Sequence, residues 1–261
     1  MTFLTTQTLT KSFGDNRAVN GVDFHVRKGE VLALIGSNGA GKTSLVNLVS
    51  GLLRPDSGRI IFEDNDITQQ KSYDRIKAGI ARSFQIVNLF DHLSCVDNVA
   101  LSVFSRAGKT QTLTKLASRD HEVWDEAHAV LRQFGLDQHQ ALPAGTISHG
   151  ERKLLDVAVA YALRPKLLFL DEPTSGVSTR EKAPIMDIVS AIVRSGKITV
   201  VIIEHDMDIV FRYSERIVVM HQGSILADGS PDEIRRNDAV TTTLIGTHAT
   251  GEPAVDANGN A

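Results

Sequence analysis

A five-residue apolar run, Val31–Ile35, opens directly into Gly36-Ser37-Asn38-Gly39-Ala40-Gly41-Lys42-Thr43. This junction constrains the fold more than any other part of the chain. An unbroken apolar run that short suits a central strand covered on both faces. Residues 43–50 then place Leu45, Val46, Leu48 and Val49 at helical spacing, and Gly51 stops them. A strand, a glycine-rich loop and a helix in this order form a phosphate-binding loop. Glycines let the backbone wrap tightly enough to aim several N–H groups at one anion, and the helix N-terminus adds a favourable dipole. Lys42 is expected to reach the β- and γ-phosphates of a nucleotide, and the Thr43 hydroxyl to coordinate Mg²⁺.

The rest of the chain follows an α/β rhythm with one interruption. Val22-Asp23-Phe24-His25-Val26 alternates with period two, and Gly14 and Gly29 mark turns, so the first 30 residues read as strands. Residues 59–62 read as a strand after the turn Arg54-Pro55-Asp56-Ser57-Gly58. The stretch 92–146 lacks clear strands, and 122–134 sets Val123, Ala127, Val130, Leu131 and Phe134 near helical spacing. Residues 106–119 are polar, a loop or a solvated helix. After Gly150 the alternation returns: helix 151–163, strand 167–170, helix 180–194, strand Thr199–Ile203, helix Met207–Tyr213 and strand 217–220. Pro184 falls inside one of these helices and marks its first turn or a kink. Ser230-Pro231-Asp232-Glu233 opens a further short helix. Residues 1–246 are expected to form one domain, with a helical subdomain at about 92–164 inserted in the α/β core. Residues 247–261, without periodicity, are expected to be a disordered tail.

Composition narrows the class. Hydrophobic residues make up 42% and charged residues 23%, with a formal net charge of −3, an ordinary globular balance that argues against a broad basic surface for nucleic acid. Cys95 is the single cysteine, so no internal disulfide is available. No apolar run approaches the roughly 18 residues of a spanning helix, and no secretory signal is visible at Met1-Thr2-Phe3-Leu4. A cytoplasmic chain is expected, held at a membrane only by partners.

A second motif, Leu167-Leu168-Phe169-Leu170-Asp171-Glu172, is a buried strand ending in two carboxylates. It places them at the C-terminal edge, where open α/β sheets bind ligands. Asp171 suits a hold on Mg²⁺, and Glu172 is free to polarise an attacking water. These two motifs leave many nucleotide enzymes open, including P-loop kinases and GTPases.

Ile147-Ser148-His149-Gly150-Glu151 decides between them. Here the chain resembles the ABC ATPase family, whose signature at this place reads Leu-Ser-Gly-Gly-Gln; Ser148 and Gly150 match, while Ile147, His149 and Glu151 depart. The resemblance spans about residues 4–244. It implies a P-loop NTPase core with an antiparallel β subdomain and the inserted α-helical subdomain. It also implies that Ser148, His149, Gly150 and Glu151 cap the γ-phosphate held by an opposite subunit, by helix dipole and hydroxyl. Ser148 with Glu151 also reads as a capping box, which is compatible with that role. Further positions follow from the resemblance. Phe13 would stack on adenine with Val19 beside it. The segment from Gly36 to Thr43, with Ser44, would bind the nucleotide. Gln85 would join Thr43 and Asp171 at Mg²⁺, and His205 would contact the γ-phosphate beside the catalytic Glu172. Ser178 stands where the family often has Asp.

The stretches Ala81-Arg82-Ser83-Phe84-Gln85 and Asn88-Leu89-Phe90 are similar to ATPase subunits of branched-chain amino acid importers. That implies ATP and Mg²⁺ as cofactors and a second ABC ATPase subunit, identical or related. It further implies integral-membrane permease partners, indirectly a solute-binding protein, and a place on the inner face of the membrane. The rivals within the family are an exporter motor and a soluble ABC protein.

Overall fold

The structure, a computed structural model, describes residues 2–83, 89–108, 120–195 and 198–245. Elements are numbered in chain order. Gln85, with the rest of 84–88, and the tail expected from 247 lie outside these residues.

Two sheets carry the fold. The first is antiparallel and built around β1 (Thr2–Phe13), which pairs with β2 (Asn16–Val22), β3 (His25–Arg27) and β5 (Ser57–Phe62); β5 also pairs with β6 (Asn65–Asp66). The second runs β11-β10-β4-β9-β8-β7. Its members are β4 (Val31–Ile35), β7 (Ile80–Arg82), β8 (Leu167–Asp171), β9 (Thr199–Ile203), β10 (Arg216–His221) and β11 (Ser224–Gly229). All neighbours here are parallel except the β10–β11 hairpin.

Side-chain alternation along the parallel strands decides what covers each face. Leu32, Leu34, Phe169, Val201, Val218 and Met220 face one cluster, shared with the antiparallel sheet and with Leu45, Val46, Leu48 and Val49 of α1 (Lys42–Ser50). The helix of the phosphate loop is thus sandwiched between two sheets. On the opposite face, Leu168, Leu170, Val200 and Ile202 pack against α3 (Cys95–Arg106), α4 (His121–Gln133), α5 (His149–Ala162) and α6 (Thr179–Arg194). Ala33, Ile35, Ile217 and Val219 face α7 (Met207–Tyr213), α8 (Pro231–Arg235) and α9 (Asp238–Ile245). Among the described residues, helices α3 to α5 share the sheet's core, because Val99, Val103, Phe134 and Leu155 belong to the same contiguous cluster as the sheet.

The far end of α1 is held by a buried cation. Arg75, on α2 (Ser72–Ala78) and 1% exposed, donates from Nη1 to Val49 O at 2.8 Å and also to Leu48 O, and from Nη2 to Thr68 O at 3.0 Å. It satisfies helix-terminal carbonyls where a positive charge is favoured. Burial lowers its pKa to about 10.

Three local readings change. The alternating stretch from Val22 to Val26 is two strands, because Thr6 interrupts the ladder: its hydroxyl accepts from Phe24 N at 2.8 Å and donates to Val22 O at 2.8 Å. Pro184 does not mark the first turn of its helix. Helix α6 begins earlier, at Thr179, where Ser178 and Glu181 form a capping box, and Pro184 lies in its second turn. Helix α5 begins at His149 rather than 151, with Ser148 as its N-cap.

Candidate nucleotide site

The phosphate loop sits at the C-terminal edge of β4, the position open α/β sheets use for ligands. Its glycines are dictated by space. A Cβ on Gly36, at φ +150°, would lie 2.2 Å from Met220 O, and one on Gly41, at φ +101°, would lie 2.2 Å from Ala18 O. The loop is pinned from the other side by the β10–β11 turn, where Gly223 N donates to Ala40 O at 3.0 Å while Gly223 O accepts from Asn20 N at 2.8 Å. One turn therefore joins the loop to β2 and brings the tip of the β1–β2 hairpin, with Phe13, to the loop's edge.

A pocket of about 330 Å³ results, lined by Phe13, Asn16 and Ala18, the run from Asn38 to Ser44, Asp171 and Glu172, and Ile203 with His205. Phe13 is 50% exposed, as a stacking surface requires. Gly36 and Ser37 lie beneath the loop, where their carbonyls accept from Lys42 Nζ at 2.7 and 3.1 Å. Burial pushes the Lys42 ammonium below its ordinary pKa, opposed by the nearby carboxylates of Glu172 and then Asp171. Val19 requires correction: the pleat of β2 turns it into the core at 0% exposure, and its neighbour Ala18 faces the pocket instead.

The carboxylates occupy different settings. Asp171 ends β8 at 4% exposure, and its Oδ2 accepts from Arg82 Nη2 of β7. Arg82 also donates from Nη1 to Asn47 Oδ1 of α1, so one guanidinium ties the acidic strand end to the phosphate-loop helix. Glu172 stands one residue further on, in left-handed backbone at φ +49°. That conformation costs a non-glycine residue about 1–3 kcal/mol and concentrates at functional sites. It is held by Glu172 N donating to Ile203 O at 2.8 Å and by Lys153 Nζ donating to Glu172 O at 3.2 Å. The Glu172 carboxylate meets His205, with Oε1 3.1 Å from Nε2. Glu204, 3% exposed, fixes both sides of this pair. It accepts from Thr174 N at 3.0 Å, Thr174 Oγ1 at 2.6 Å and His205 N at 3.1 Å.

Ser148, His149, Gly150 and Glu151 do not line this pocket. They form the first turn of α5, where Glu151 N donates to Ser148 Oγ at 3.3 Å and Ser148 N donates to Glu151 Oε2 at 2.8 Å. Ser148 and His149 are exposed, and Gly150 is buried.

A model of the ABC transporter family matches residues 19–175. The chain belongs to the ABC transporter family. Similar curated members include the high-affinity branched-chain amino acid transport ATP-binding protein BraF of Pseudomonas aeruginosa, 33% identical over 244 residues, covering 91% of this chain and 95% of that one. The corresponding LivG of Escherichia coli K12 is 31% identical over 246 residues, with coverages of 91% and 95%. Among solved structures, a nucleotide-free ATP-binding cassette from an ABC transporter superposes with TM-score 0.84 at 30% identity, covering 94% of this chain and 100% of that one. A cassette in its ADP conformation gives 0.85 at 30% identity, with coverages of 94% and 99%. The α/β core with two sheets is thus the ABC ATPase fold.

In this ABC family chain, sequence reasoning missed Arg82, Asn47, Lys153 and Glu204. Each contacts at least one residue that is close in space and distant in sequence. Only the polar residues abutting strand ends, Arg82 after Ile80-Ala81 and Glu204 after β9, carried any signal.

Proposed function

We propose that this chain is the ATP-hydrolysing subunit of an importer for branched-chain amino acids or related small, amino-acid-like solutes. Its pocket would form half of each working site. The observation that carries the two-subunit reading is the separation of parts. One subunit supplies the phosphate loop, Asp171, Glu172 and His205 around a single pocket, and its Ser148 segment lies elsewhere. A second ATPase subunit opposed to the first would place its own Ser148–Gly150 backbone and hydroxyl over the γ-phosphate. The names of relatives matched along nearly their whole length support the solute class.

The residues suit the nucleotide. Phe13 offers a stacking face, the loop N–H groups and Lys42 receive the phosphates, and Lys42 exchanges its bonds to the loop carbonyls for phosphate oxygens. Mg²⁺ fits the donor set. Thr43 and Asp171 are hard oxygen donors, Gln85 would add a third, and among the described residues no group of three or more His, Cys, Asp or Glu side chains could hold a metal ion by itself. Mg²⁺ is held by one or two carboxylates plus substrate phosphates rather than by an all-protein cage. When bound it would neutralise charge on the phosphate oxygens.

In the reaction, Glu172 accepts a proton from water as the oxygen bonds to the γ-phosphorus and the bond to the β–γ bridging oxygen breaks. His205, whose Nε2 lies 3.1 Å from Glu172 Oε1, would exchange that contact for a γ-phosphate oxygen when nucleotide binds, donating its Nε2–H there. Opposed binding converts ATP affinity into dimer closure, and hydrolysis reopens it.

A groove of about 750 Å³ between α2 and α3 would receive the permease. It gathers three of the large exposed apolar side chains, Tyr73, Ile76 and Phe90. Asn98 fixes the Phe90 backbone, accepting from Phe90 N at 2.8 Å and donating to Phe90 O at 3.2 Å. No helix among the described residues is long and apolar enough to cross a membrane, which fits a peripheral subunit on the inner face. A solute-binding protein would act through the permease.

Glu172→Gln tests the assignment. Turnover should fall about a hundredfold or more, with ATP binding retained and a dimer accumulating on gel filtration with ATP. Wild-type turnover in that variant would remove Glu172 from catalysis.

A further inference from the structure

Two polar links run from the turn that follows Glu172 to the start of α5. Lys153, 5% exposed, donates from Nζ to the Glu172 carbonyl at 3.2 Å, on the residue already held at φ +49°. One turn earlier along α5, His149 Nε2 lies 3.3 Å from Ser175 O. A carbonyl only accepts, so this contact requires Nε2 to carry the proton. The space between the links is filled. A Cβ on Gly176, where φ is +73°, would come within 2.9 Å of His149 Nε2; one on Gly150 would meet Glu181 Oε1 at 3.2 Å and Val177 at 3.6 Å. Glu181 is itself engaged with Ser178 at the cap of α6. Residues 172–178 and 148–153 therefore pack as a unit with little room to deform independently.

We infer that His149 and Lys153 are positioning residues that couple the backbone around Glu172 to the N-terminus of α5. Nucleotide at a subunit's own phosphate loop thereby changes the setting of its 148–151 segment, which serves the opposite nucleotide. The inference rests on the two-subunit reading above. In such a clamp, Glu172 and Ser148 of one chain belong to different composite sites, and these two links are the path between them. A shift of Glu172 cannot be absorbed locally, because its carbonyl is bonded to α5 and Gly176 lies against His149. Closely packed segments move together between discrete arrangements rather than stretch.

The test uses hydrogen exchange read by mass spectrometry on the full chain, with and without Mg²⁺ and a non-hydrolysable ATP analogue. The protein concentration is one at which light scattering shows monomer, so that contact with a second subunit contributes nothing. In the wild type the analogue should slow exchange at 36–44 and also change exchange at 148–155 by about fivefold or more. In His149→Ala/Lys153→Met the response at 36–44 should persist while that at 148–155 disappears; Lys153→Arg, which keeps the donor, should retain it. A merely structural role would alter 148–155 equally with and without the analogue. The coupling is overturned if the wild type responds at 36–44 alone, or if the double variant responds at 148–155 as the wild type does. No response at 36–44 in the wild type would sink the nucleotide reading and this inference with it. His149 is exposed, so His149→Ala alone serves if the double variant does not fold.

Discussion

Helices α1 and α5 both begin at segments expected to meet phosphate, yet their N-termini are finished in opposite ways. Helix α1 starts from Gly41, a left-handed residue with no side chain to cap the turn. Its first N–H groups therefore face the pocket without a competing acceptor from the cap residue. Helix α5 starts from Ser148 in a reciprocal capping box with Glu151. The first is a standing anion site. The second already has a partner and must exchange it, but the Glu151 N–Ser148 Oγ bond is long at 3.3 Å, so little is lost in the exchange. Under the proposed function, the first helix would hold nucleotide in a single subunit, and the second would add affinity only when a second nucleotide is presented to it.

This contrast can be broken at either end. The largest effect belongs to Lys42→Ala. It removes the buried cation beside the standing site and should weaken ATP binding by about 30-fold or more, read by isothermal titration; unchanged affinity would take the loop out of the mechanism. Gly41→Ala comes next. Its Cβ would meet Ala18 O at 2.2 Å in backbone at φ +101°. Urea unfolding should show about 1–3 kcal/mol lost, with weaker nucleotide binding alongside.

Ser148→Ala attacks the exchangeable site. It should remove about 1 kcal/mol of helix capping and leave nucleotide affinity of the isolated chain unchanged. In a Glu172→Gln background it should lower the dimer fraction on gel filtration. A dimer fraction equal to that of the parent would contradict the role of α5.

The smallest effect concerns Glu151. Burial alone would raise its pKa, but the Ser148 N–H and hydroxyl, with the His139 imidazole 3.4 Å away, outweigh burial and hold the carboxyl below its ordinary 4.5. A depressed folded pKa gives stability that is present above 4.5 and lost as pH falls through the folded value. Acidification through that window should therefore speed amide exchange at the start of α5 before it does so at the start of α1, where no acidic residue occupies the first turn. Glu151→Gln, which can still bond but does not titrate, should abolish the pH dependence.

Some of this was legible in the residues alone. Val31–Ile35 announced a central strand because every position is apolar, and it is buried at all five positions. The strand, loop and helix around Lys42 were legible because their chemistry is local: spacing, glycine and charge lie within one stretch. Val19 was misread because a strand's pleat, not its composition, decides which of two neighbours faces a pocket. Pro184 gave no boundary, because the capping box at Ser178 and Glu181 starts α6 a turn before it. Helix α2 left no strong periodic signal, and the capping of α1 by its Arg75 is a contact across the fold that no local pattern announces.

The sequence by itself determined which groups can meet a nucleotide: a glycine-lined loop, a lysine, two carboxylates at a strand end and a capped serine helix. Tertiary structure decided which of them share a pocket. Asp171, Glu172 and His205 converge because β8 and β9 are adjacent parallel strands ending at the same edge, and Arg82 reaches Asp171 because β7 lies beside β8. Ser148 falls outside that pocket because α5 packs on the face of the sheet opposite α1. Local pattern fixes the chemistry a residue can perform. Strand order and the face a helix covers are set by long-range burial, and these fix which residues it performs it with.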